Sequence, residues 1–146
     1  MSRKIKLASD PFFYLFVFFV IAILAARSYV YFGGDLNLSI SGVVIHHYMF
    51  GIILMMISGV CIFFLDSRFI SSNKLRIFFA SIFGAGLGLV TDEISFIFSA
   101  ASFYSLVQYY SAAGLMAEAV ILVIITILFI LTTIRKRTTI RRKAKP

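Results

Sequence analysis

Residues 77–93 read IFFASIFGAGLGLVTDE, fifteen uncharged residues closed by an acidic pair. Ala80, Gly84 and Gly88 recur every four positions within this run. On a helix that spacing places them on one face, where small residues let two backbones approach closely in lipid. Asp92 is the next member of the series, so its carboxylate falls on the face that meets other helices. Glu93 lies on the neighbouring stripe with Gly86. The string from Gly84 to Gly88 has the glycine content of a dinucleotide-binding loop. Such a loop needs a preceding strand and a phosphate site at a helix start, and an apolar span supplies neither.

Working outward, the same apolar character fills most of the chain. Of 146 residues, 61% are hydrophobic and 14% charged, with a mean hydropathy of +1.01. Soluble domains carry about 25% charged residues, so this composition points to a membrane protein of a single domain. The spans expected are 11–32, 43–65, 77–100 and 113–134, each near the roughly 20 residues that cross about 30 Å of hydrocarbon. The outer end of the third is open, because residues 94–107 are also apolar and could extend the helix, re-enter or lie along the surface. The basic start followed by an apolar run has the look of a signal peptide. No small-x-small site precedes Arg27, and an uncleaved anchor is expected. Cys61 is the only cysteine and sits mid-span, a small buried apolar residue with no disulfide partner.

The net charge of +8 is unevenly placed. Seven of the fourteen Lys and Arg fall in the basic tail, 135–146, and Arg3, Lys4 and Lys6 lie at the start. The loop between spans two and three adds Arg68, Lys74 and Arg76, whereas the other two loops hold no Lys or Arg. By the positive-inside rule both termini are cytoplasmic, in a multi-pass protein of the cell membrane. The partners implied are the lipid bilayer, with anionic lipids at the basic tail, and not nucleic acid. Six of the seven tyrosines, Tyr29, Tyr31, Tyr48, Tyr104, Tyr109 and Tyr110, then lie toward the outer side.

Folding this topology back on itself brings the ionisable residues to one depth. Arg27 lies about 24 Å along span one and Asp92 about 22 Å along span three. His46 and His47 begin span two, and Glu118 is about a turn and a half into span four. Ionisable groups within a span usually face the bundle and pair, and they mark functional sites. Each also has a plainer explanation. Arg27 can snorkel to the headgroups or pair with Asp92 alone, His47 can be interfacial, and Glu118, between Ala117 and Ala119, can hold helices together. Adjacent histidines on a helix diverge by about 100°, so one of the two is expected to stand back from the site. Imidazole plus carboxylate suits a divalent transition metal such as zinc, with His46, His47, Asp92, Glu93 and Glu118 as the ligand set and Arg27 as charge partner. A metal there could activate water against a lipid or lipid-linked substrate. The same groups could relay protons in a small ion- or proton-coupled transport component, or serve only as glue in a non-catalytic membrane subunit. No H-E-x-x-H and no Cys pair is present.

VIHHYMFG at 44–51, GAGLGLVTDE at 84–93, and Tyr109-Tyr110-Ser111 with Gly114 and Glu118 resemble a group of small, uncharacterised prokaryotic integral membrane proteins. The resemblance covers roughly residues 40–120. In that group a further His often stands where this chain has Val44, a Trp where it has Tyr110, and a charged pair near Ala113 and Leu115. The resemblance implies an all-α, four-helix membrane bundle and no particular activity. Self-association is a further expectation for a chain of four short helices.

Overall fold

A computed structural model of the chain describes residues 9–33, 38–40, 43–65, 72–94 and 112–143. Among these are four helices: α1 (Pro11–Gly33), α2 (His47–Leu65), α3 (Asn73–Asp92) and α4 (Ala112–Lys143). Two short strands, β1 (Leu38–Ile40) and β2 (Val43–Ile45), pair antiparallel with Ser39 opposite Val44. The architecture is thus helical with one small hairpin before α2. Residues 95–111, where the end of the third span was left open, lie outside the described residues.

Local chemistry sets the helix starts. Asp10 caps α1, its Oδ1 accepting the Phe12 N–H at 3.1 Å, and Pro11 occupies the first helical position, where its missing N–H costs nothing. The α3 start is set by the Ser72 carbonyl, which accepts the Leu75 N–H at 3.1 Å. Pro11–Phe32, Asn73–Asp92 and Ala112–Lys136 are long and apolar enough to cross a membrane, and His47–Ile62 is a shorter apolar helix. Span two was expected to begin at residue 43. Residues 43–45, all β-branched, pair with 38–40 instead and delay the helix to His47. The fourth helix does not stop at Arg135 but continues to Lys143. Arg and Lys are good helix formers, so the loss of apolar character there ends the hydrophobic stretch without ending the helix.

Helix α3 is the centre of the bundle, with α1 and α2 packed closely on it and α4 touching more lightly. Asn73 reaches the Ser9 carbonyl at one end (3.0 Å) and Arg27 meets Asp92 at the other, so α1 and α3 run parallel. On α4, Glu118 lies by Arg27, Phe129 stacks on Phe16 with ring centroids 4.8 Å apart, and Lys136 is 2.6 Å from Asp10. Thus α4 runs antiparallel to α1, and the beginning of α1 and the basic segment of α4 share one end of the bundle.

Glycine makes the close packing possible. A Cβ on Gly84 would overlap the Leu15 carbonyl, and one on Gly88 would lie 2.5 Å from Phe19 O and 2.7 Å from Ala22 Cβ. On the α2 side, Gly86 and Gly51 face each other, each leaving only 2.6 Å between a would-be Cβ and the other's carbonyl oxygen. The interior holds polar residues beside apolar ones such as Phe19, Ile23 and Val30. Ser58, Thr91, Asp92 and Glu93 are buried, while Leu24, Met56 and Leu131 are more than half exposed. An exterior this apolar, on helices long enough to span a bilayer, is consistent with a membrane protein.

Candidate functional site

The buried carboxyls of Asp92 and Glu93 end α3, one turning to α1 and the other to α2. This follows from their positions. Asp92 continues the face of Ala80, Gly84 and Gly88, which lies on α1, and Glu93 is seven residues beyond Gly86, which lies on α2.

Arg27 stands on the α1 face. Its Nε is 2.7 Å from Asp92 Oδ1 but off the line of an aligned hydrogen bond, so the contact is ionic. Its terminal nitrogen donates to Glu118 Oε2 of α4 and lies 3.4 Å from the Asp92 backbone oxygen. One guanidinium therefore joins α1, α3 and α4. The other Asp92 oxygen, Oδ2, is 2.8 Å from His47 Nε2.

On the α2 face, Glu93 Oε2 accepts the Tyr48 N–H at 2.9 Å. Helix starts leave N–H groups without partners and carry partial positive charge, so Glu93 caps α2 from a neighbouring helix. Sequence reading placed the start of span two at residue 43 and had no means of finding this role. Glu93 Oε1 lies 3.3 Å from His46 Nδ1 and 3.6 Å from His47 Nδ1. The His46 ring stacks on Tyr48, centroids 5.8 Å apart. Both histidines thus reach the α3 carboxyls. The 100° divergence expected of neighbours does not apply, because His46 precedes the helix and only His47 is helical.

The six residues Arg27, His46, His47, Asp92, Glu93 and Glu118 form one network at the end of the bundle remote from Lys136. Asp92 and Glu93 have essentially no exposed side-chain surface, whereas His47 retains 26%. The metal site expected of the two histidines and three carboxyls finds no support in this geometry. Among the described residues, no group of three or more His, Cys, Asp or Glu is arranged to hold a metal ion. The reason is visible in the pairings. Arg27, itself a cation, sits between Asp92 and Glu118 and takes the oxygens a metal would need, and Glu93 is shared with a backbone N–H.

No protein family, curated protein or solved structure matches the chain.

Proposed function

We propose that this is a multi-pass cell-membrane protein with both chain ends in the cytoplasm, and that its outward cluster is the proton-binding site of a small proton-coupled carrier. The observation that carries the reading is the balance of charge in the network. The network holds three carboxyls, two of them fully buried, and one guanidinium, which pairs with Asp92 and Glu118 but not with Glu93. Charge buried without compensation is costly in a low-dielectric interior. Two bound protons restore neutrality, and the two imidazoles touch the carboxyl oxygens that Arg27 leaves over. Groups of this kind in contact within a span are the usual makings of a proton site. His47, partly exposed, is the entry point from the near surface. The charged groups around the site are Arg27 on α1, His46 and His47 at the start of α2, Asp92 and Glu93 on α3, and Glu118 on α4.

Infrared difference spectra of the purified protein between pH 8 and pH 5 test proton uptake. Wild type should show carboxyl and imidazole bands that vanish together in Asp92→Asn and Glu93→Gln. In proteoliposomes, an imposed pH gradient should drive protein-dependent flux that those variants lose. Identical spectra for wild type and both variants would end the proton reading. A second reading is favoured by the way the network ties every helix together: a non-catalytic subunit in which the cluster serves only cohesion. It predicts that the same variants lose stability with no change in proton uptake beyond the residue removed.

A further inference from the structure

At the opposite end of the bundle, α1, α2 and α3 enclose a groove of about 480 Å³. Ligand sites typically have volumes of about 300–1,000 Å³. Its walls include Phe18, Leu54, Ile77, Phe78 and Ile82, with Ala85 the lining residue farthest along α3 from Lys74. Ser81 also lines it, but its hydroxyl donates to the Ile77 carbonyl at 2.8 Å, so that wall offers no polar group to a ligand. Tyr14 adds a phenol to the lining, and Lys74, in the first turn of α3, is its charged residue among those described, exposed and without an ion-pair partner among them.

We infer that this groove binds one acyl chain of an anionic phospholipid, with the headgroup phosphate on Lys74. Two features select this occupant. The first is length: from Lys74 to Ala85 is about 17 Å at 1.5 Å per residue, close to one leaflet of a hydrocarbon core about 30 Å thick. The second is the position of charge. Among the described residues the only cation of the lining is Lys74, on the same end as Asn73 and the Lys136–Asp10 pair, where a headgroup would lie. A zwitterionic lipid would fill the apolar walls equally well but would gain nothing net from the ammonium. The inference is independent of the proton site, which lies at the other end of α3 and shares no residue with the groove.

Native mass spectrometry of the full chain in detergent tests it, with phosphatidylglycerol, phosphatidylcholine of the same acyl chains, and free palmitate as probes. One phosphatidylglycerol should be retained in preference to phosphatidylcholine, and Lys74→Gln should reduce the preference about fivefold, the factor equivalent to ~1 kcal/mol for one lysine at an anionic surface. Ala85→Phe, which places a ring in the lining at the far end from Lys74, should lower retention of both phospholipids. Lys74 is exposed, so its variant remains informative even if Ala85→Phe does not fold. Equal retention of the two phospholipids by wild type overturns the inference, leaving ordinary boundary lipid. Palmitate binding as tightly as phosphatidylglycerol overturns it in favour of a fatty-acid site. A dimer abolished by Ala85→Phe overturns it in favour of a second copy of the chain.

Discussion

Substituting alanine at Gly84 adds one methyl where the α1 backbone already stands. The atoms it meets are the carbonyl oxygen, carbonyl carbon and Cα of Leu15, none of which can turn aside as a side-chain tip would. Helices α1 and α3 must separate, and overpacking of this kind costs about 1–3 kcal/mol. Alanine is also a better helix former than glycine by about 0.8–1.0 kcal/mol, which conceals part of the loss. Gly59 supplies the control. Its would-be Cβ is 3.9 Å from Phe83 Cε2, an ordinary contact, so Gly59→Ala receives the helix-propensity gain without the clash. The difference between the two variants therefore isolates the backbone contact and should be about 1–3 kcal/mol, Gly84→Ala being the less stable. Unfolding in dodecylmaltoside micelles titrated with dodecyl sulfate, followed by circular dichroism, measures it. Coincident curves for the two variants would refute the close approach of α1 and α3.

Arg27→Gln should destabilise by about 3–5 kcal/mol in the same titration, because it strands two carboxyls that the guanidinium compensates. The double variant with Asp92→Asn should recover part of that loss, and no recovery would mean that the pair is not coupled. The orientation is checked by reporter fusions: those after Arg76 and Pro146 should read cytoplasmic, those near Asn37 and Ser105 external, and an external Pro146 fusion would reverse the assigned face of the cluster.

What could be read in the sequence depended on periodicity. A four-residue repeat of small side chains is visible in any apolar helix, and following it four positions further assigns Asp92 to a face. Charge depth was also legible, since rise per residue converts position into height. Two things were not. Hydropathy reports solvent preference, so it could not separate the β-branched triplet at 43–45 from the helix that follows, nor find the end of α4 beyond Arg135. The pairing scheme was hidden too. Three carboxyls and two imidazoles suggest a ligand set until the reach of Arg27 is known, and that reach depends on how closely glycine lets α1 approach α3.

The two histidines hang from unlike pieces of backbone. His47 belongs to the first turn of a nineteen-residue helix, while His46 is the single residue between that helix and a strand of three. An isolated two-stranded hairpin is at best marginally stable in water, and elements of that kind open at a small fraction of the global unfolding free energy. Fraying of the two strands would release the backbone that carries His46, while the helix would still hold His47 beside Asp92.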